Sequence, residues 1–194
     1  MNLNGTWKLY YYENGSVTVN TPAELAAAKV ASVPCTVPGN VELDLSAAGV
    51  LPNDLFKGMN IEAAEQVESY DWWYETAFTP QAPAAGQTVL LRFGGVDCTA
   101  EYFLNGQSIG QSNNMLIAHE FEVTGRLNYG QKNTLMVHIT SPLAAVQGKD
   151  YDLDMISYSW HNHPLSGYMR KAPHAYGWDI MPRALSAGLW RGVE

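Results

Sequence analysis

The stretch 88–106 reads TVLLRFGGVDCTAEYFLNG and carries the strongest fold signals of the chain. It opens with a nearly continuous apolar run over residues 88–93, which is typical of a strand. A second run, over residues 99–104, ends at Asn105-Gly106, and this dipeptide after a strand is the strongest short-range signal of a β-hairpin. The stretch therefore predicts strands that follow one another directly.

Short strands are also predicted on both sides of this stretch. Leu135, Val137 and Ile139 alternate with other residues, as expected for one buried face of a strand. Further strands are predicted at residues 3–12, 72–78, 119–123 and 190–193. Many short strands at regular spacing, with little helix between them, indicate an all-β sandwich or jelly roll.

Helix is predicted only in short pieces. One or two helical turns fit the Ala-rich residues 22–29, and a brief helix over residues 41–48 has Asn40 as its N-cap. Residues 142–185 show weak periodicity and are dense in Trp, His, Tyr, Met and Arg, so we predict a long aromatic loop. The 194 residues suffice for a single β-sandwich domain, residues 1–194, with one core.

The charge balance excludes several classes of partner. Eleven basic and 19 acidic residues give a net charge of −8, and no basic run is present, which argues against nucleic acid and anionic membranes. No apolar segment approaches the roughly 20 residues of a membrane helix. Residues 1–7 lack the basic and apolar regions of a signal peptide, so none is predicted.

Cysteine and histidine do not predict a metal site. Cys35 and Cys98 are far apart and match no metal-binding spacing, which leaves two buried thiols or one disulfide as alternatives. His161 and His163 lie two residues apart, but a zinc site would need further ligands. We therefore predict no metal and no cofactor.

Seven segments along the whole chain carry motifs that occur together in one family. In this order they resemble the N-terminal sugar-binding domain of glycoside hydrolase family 2, which includes β-galactosidases, β-glucuronidases and β-mannosidases. They are TVPGN at 36–40, DWWYE at 71–75, LRFGGVD at 91–97, LNG at 104–106, RKA at 170–172, GWD at 177–179 and GLWR at 188–191. The resemblance implies a galactose-binding-like jelly roll.

The RKA and GWD segments resemble the β-mannosidase branch most. There the family continues Trp-Gly-Pro after the aspartate, whereas this chain has Ile180-Met181-Pro182. The sugar and the linkage are left open by this difference.

The resemblance also implies a modular enzyme. In the family this jelly roll precedes an immunoglobulin-like domain and a (β/α)8 barrel of roughly 250 residues, which carries both catalytic glutamates. A retaining mechanism needs two carboxylates about 5 Å apart. The chain has no Asn-Glu dipeptide, which marks the acid/base in the family, and no room for a barrel, so we expect no catalytic residue and no hydrolysis by the isolated chain. The compartment, periplasmic or secreted, and the oligomeric state stay open.

Five residues are candidates for a sugar site. In the mannosidases that this chain resembles, the aspartate at the position of Asp179 helps to bind the sugar, although it could also structure its loop. Trp178 and Trp160 are aromatic candidates that could stack on a sugar or pack. Arg170 and Lys171 could support the site by pairing with Asp179, or could be solvated charges.

Three functions are compatible with these features. The first is an accessory sugar-binding domain of a family 2 β-glycosidase, of β-mannosidase or β-galactosidase type, that contributes to the active-site rim of the barrel. The second is a free-standing carbohydrate-binding module, which would bind saccharides alone. The third is a structural domain that docks the other domains of its polypeptide.

Overall fold

A six-stranded antiparallel sheet is the frame of the protein in the computed structural model, which describes residues 1–149 and 167–194. Its strand order is β2-β1-β3-β8-β5-β6, and β4 pairs with β7 in a second, smaller sheet. The strands are β1 (Gly5–Glu13), β2 (Ala31–Val37), β3 (Tyr70–Phe78), β4 (Leu90–Phe93), β5 (Ala100–Leu104), β6 (Gln107–Ser112), β7 (His119–Glu122) and β8 (Asn133–Ile139).

The last residues of the chain extend the smaller sheet. The backbone N–H of Arg92 donates to the carbonyl of Glu194 (2.8 Å), and that of Gly94 donates to the carbonyl of Gly192 (2.9 Å). The main core includes Leu9, Tyr74, Phe93, Tyr102, Leu135 and Leu189, all fully buried. The prediction of an all-β, galactose-binding-like sandwich is confirmed.

Both faces of the large sheet are covered. Trp72 and Trp73 point to opposite faces, as successive residues of a strand must, and both are buried. Trp72 belongs to the main core, whereas Trp73 belongs to a second cluster that also contains Phe103 and Leu25. Leu25 lies in helix α1 (Pro22–Ala28), so this short helix covers part of the second face.

Both short helices begin at capping residues, of which only Asn40 was predicted from the sequence. A capping box of Thr21 and Glu24 begins α1. Asn40 accepts a hydrogen bond from the backbone N–H of Leu43 (3.0 Å) and begins α2 (Val41–Ala47). A 3-10 helix at Asn60–Val67 was not anticipated.

The predicted aromatic loop is described in part. It contains 3-10 helices at Ala144–Val146 and Pro173–Tyr176, while residues 150–166, with Trp160 and both candidate histidines, lie outside the described residues. Cys35 and Cys98 are buried free thiols rather than a disulfide. No helix in the described part is long and apolar enough to cross a membrane.

Asp44 on α2 makes the stability of this fold depend on pH. One carboxylate oxygen accepts from the backbone N–H of Thr36 (2.9 Å), and the other is buried without a partner among the described residues. Burial raises the pKa of Asp44 to about 6. The folded state binds the proton of the Asp44 carboxyl more tightly than the unfolded chain does. Protonation of Asp44 therefore stabilises the folded state below about pH 4, and this stabilisation is lost as the pH rises through 6.

We therefore expect Asp44→Asn to remove part of the stability loss between pH 4 and pH 7. At pH 7 its free energy of unfolding should exceed that of the unmodified protein by up to about 3 kcal/mol, and near pH 4 the two should agree. Urea unfolding across this pH range measures both. A difference that does not change with pH would contradict the assignment.

Candidate functional site

Two of the predicted site residues, Trp178 and Asp179, lie in a hairpin-like turn of the chain. The backbone N–H of Trp178 donates to the carbonyl of Met181 (2.9 Å), and the N–H of Met181 donates back (3.2 Å). Nearer the body of the domain, the N–H of Ala184 donates to the carbonyl of Ala175 (3.0 Å). We call residues 175–184 the site hairpin, and its tip is Asp179-Ile180.

The tip combines groups suited to a sugar. The side chain of Asp179 is exposed, and Trp178 next to it is 51% exposed. A carboxylate accepts strong hydrogen bonds from hydroxyls, and an indole ring offers an apolar face with one N–H donor. The consecutive residues Trp178 and Asp179 are both exposed at this turn, while Trp160 lies outside the described residues.

Lys171 lies below the hairpin and is buried, with 5% exposure. Its ammonium donates to the Asp97 carboxylate and to the carbonyl of Ser186, both at 2.5 Å. The interpretation that Lys171 either pairs with Asp179 or is a solvated charge is therefore wrong. Asp97 is itself buried and offers a carboxylate inside the protein, where an ammonium needs a partner.

The ion pair belongs to a larger buried polar network. The hydroxyl of Ser186 donates to the carboxylate of Glu42 on α2 (2.7 Å). Burial raises the pKa of Glu42, and it also raises the pKa of Asp97, where the Lys171 ammonium opposes the shift. The network links α2, the Asp97 loop after β4 and the residues that follow the site hairpin.

Arg170 contributes mainly through its backbone. Its carbonyl accepts from the backbone N–H of Met115 (3.1 Å) and from the thiol of Cys98 (3.5 Å). The side chain is exposed, so a supporting role for it at the site stays a prediction. These contacts fix the chain just before it enters the hairpin.

Arg183 belongs to the site hairpin but was not among the site residues predicted from the sequence. Its Nε and Nη2 donate to both carboxylate oxygens of Glu68, at 2.7 to 3.1 Å, and its Nη1 reaches the carbonyl of Tyr176 at 3.5 Å. Glu68 precedes β3 and lies 115 residues away in sequence, a separation at which no local motif can pair two residues.

An apolar cavity of about 540 Å³ opens beside the hairpin. Met115 and Trp190 line it together with Asp97. Phe56 and Ile180 also line it and are largely exposed, at 80% and 87%. Within residues 1–149 and 167–194, no group of three or more His, Cys, Asp or Glu is arranged to hold a metal ion.

The fold defines a class of protein, the galactose-binding-like jelly rolls, and sequence comparison gives the family. A profile described as "Glycosyl hydrolase 2 galactose-binding domain-like" matches residues 17–191. The chain therefore belongs to this family of glycosyl hydrolase 2 domains.

Similar proteins are consistently longer than this chain. It is 34% identical to β-mannosidase B of Emericella nidulans over 166 residues, which are 84% of this chain and 19% of that protein. With β-mannosidase B of Aspergillus niger it shares 32% over 172 residues, 88% of this chain and 20% of that protein. The chain thus spans about a fifth of the length of these relatives.

Similar solved structures are also several times longer than this chain. A β-D-mannosidase from Dictyoglomus thermophilum superposes with a TM-score of 0.77 and 30% identity, covering 100% of this chain and 22% of that one. A β-glucuronidase from Ruminococcus gnavus, at a TM-score of 0.56 and 18% identity, covers 100% of this chain and 27% of that one, and shows the shared fold alone.

Removing the ammonium of Lys171 should destabilise the domain strongly, because it leaves Asp97 as an unpaired buried charge. We expect Lys171→Met to lower the free energy of unfolding by about 3–5 kcal/mol, and the additional change Asp97→Asn to restore part of it. Urea unfolding measures both effects. Arg92→Met, which breaks exposed pairs with Glu120 and Glu194, is the matched control and should cost about 1 kcal/mol or less. Equal losses in the two single variants would contradict the role of this pair.

Proposed function

We propose that residues 1–194 form one accessory sugar-binding domain of a family 2 β-glycosidase, of β-mannosidase or β-galactosidase type. In this proposal the domain contributes the tip of the site hairpin to the rim of the active site, and the barrel of the same polypeptide performs hydrolysis. The isolated chain hydrolyses no glycoside, because both carboxylates of the mechanism belong to the barrel.

The tip of the site hairpin is the observation that supports this proposal most. Asp179 is exposed on a turn closed by two backbone hydrogen bonds, so its carboxylate is accessible to a ligand. Ion pairs of Lys171 and Arg183 with buried acids flank that turn. The carboxylate of Asp179 would accept hydroxyls of the bound sugar, and Trp178 would cover an apolar face of the ring.

The exposed apolar side chains around the tip support an interdomain contact. Phe56, Met59, Ile180 and Met181 expose between 43% and 87% of their surface, and three of them line the cavity beside the hairpin. Exposed apolar surface of this kind marks interaction sites. In the proposal this surface packs against the other domains of the polypeptide, immunoglobulin-like and barrel.

The test is Asp179→Asn in the full-length polypeptide that carries this domain. The change keeps the size of the side chain and removes its charge, so a charged hydrogen bond worth about 1.5–3 kcal/mol is lost. We expect kcat/KM for an aryl β-mannoside or β-galactoside to fall about 10-fold to 100-fold. Steady-state kinetics with both substrates measures the loss.

A matched control is Glu122→Gln, an exposed carboxylate on β7 that is changed to an amide in the same way. It should leave kcat/KM unchanged. Unchanged kinetics for Asp179→Asn would overturn the proposed contact with substrate and would favour a purely structural, interdomain role for the domain.

A further inference from the structure

Asp179 lies on the turn of the site hairpin, which the two backbone hydrogen bonds between Trp178 and Met181 close. The chain that leads to the hairpin passes Lys171, whose ammonium pairs with Asp97. The limb that returns from the tip passes through Arg183, which is fixed by Glu68. An ion pair to a buried acid therefore holds the chain just before the hairpin, and a second one holds the returning limb.

The two ion pairs differ in how strictly they fix the position and orientation of the chain. Lys171 is a point charge that lies before the hairpin begins, and its second contact is the carbonyl of Ser186. Arg183 lies within the hairpin, and two nitrogens of its planar guanidinium donate hydrogen bonds to the Glu68 carboxylate. A bidentate fork fixes orientation as well as distance, which a single ammonium does not.

Arg183 also joins the two limbs to each other. Its Nη1 reaches the carbonyl of Tyr176 at 3.5 Å, and its guanidinium lies 5.9 Å from the centre of the buried Tyr176 ring. Glu68 is itself held, since its carbonyl accepts from the hydroxyl of Ser141 (2.8 Å). One side chain thus connects the segment before β3, the outgoing limb and the returning limb.

We infer that Arg183, through its fork on Glu68, is the positioning residue that orients Asp179 towards the substrate; this rests on the proposed function. Arg183 itself need not touch the sugar. Displacement of a binding group by about 1 Å can cost on the order of 100-fold in rate, so an orienting contact far from the chemistry has a measurable effect.

A double-mutant cycle in the full-length polypeptide tests this inference. Arg183→Lys keeps the positive charge and removes the fork, and we expect it to lower kcat/KM about tenfold. In the Asp179→Asn variant, the same change should have less than a twofold further effect, because no carboxylate is left to orient. Arg92→Lys, in an exposed pair with Glu120, is the matched control and should have no effect in either background.

The isolated chain provides a second readout that does not require activity. In Arg183→Lys, hydrogen exchange at the backbone N–H groups of Trp178 and Met181 should become at least about fivefold faster, since these groups close the hairpin. Exchange at the N–H of Val41, which is bonded to the carbonyl of Ala187, should not change.

The outcomes separate this inference from the proposed function. Additive losses in the cycle, full activity of Arg183→Lys, or unchanged exchange at the hairpin would overturn the positioning role while leaving a substrate contact of Asp179 intact. If Asp179→Asn alone has no effect on kcat/KM, the proposed function fails, and the positioning role fails with it.

Discussion

The buried ion pair between Lys171 and Asp97 connects parts of the chain that are far apart in sequence. Asp97 follows β4 of the smaller sheet, and Lys171 immediately precedes the segment that carries the site hairpin. The same ammonium binds the carbonyl of Ser186, whose hydroxyl binds Glu42 on α2. A buried ammonium requires such partners, so this interaction helps to fix the chain where it enters and leaves the hairpin.

The site hairpin has an unusual distribution of polar and apolar side chains. Its returning limb is tied to the buried Glu68 by Arg183, whereas its tip exposes a carboxylate, an indole ring, and the side chains of Ile180 and Met181. Polar groups inside and apolar groups outside are the reverse of the usual arrangement. Such a reversal is consistent with a surface that is completed by another part of the polypeptide, and the relatives are about five times as long as this chain.

Local patterns were sufficient to predict most of the fold. The Asn105-Gly106 hairpin, the alternation in β8 and the Asn40 cap of α2 each depend on residues close in sequence, and each is confirmed. The 3-10 helix at Asn60–Val67 was missed because its apolar residues give only a weak pattern.

The site could be predicted only in part. The Gly-Trp-Asp segment was found by family resemblance, and the structure places Trp178 and Asp179 on one turn. The partners of Lys171 and Arg183 were not found, because Asp97 and Glu68 lie 74 and 115 residues away. Long-range pairing of charges follows from the path of the whole chain, which a single sequence does not specify.

The most direct measurement is a crystal structure of the full-length polypeptide, with its barrel inactivated and a β-glycoside bound in the subsite that is cleaved. We expect a carboxylate oxygen of Asp179 at about 3 Å from a hydroxyl of that sugar. A site hairpin facing solvent, or an Asp179 carboxylate farther than about 6 Å from the sugar and so beyond the reach of one bridging water, would contradict the proposed role of this domain.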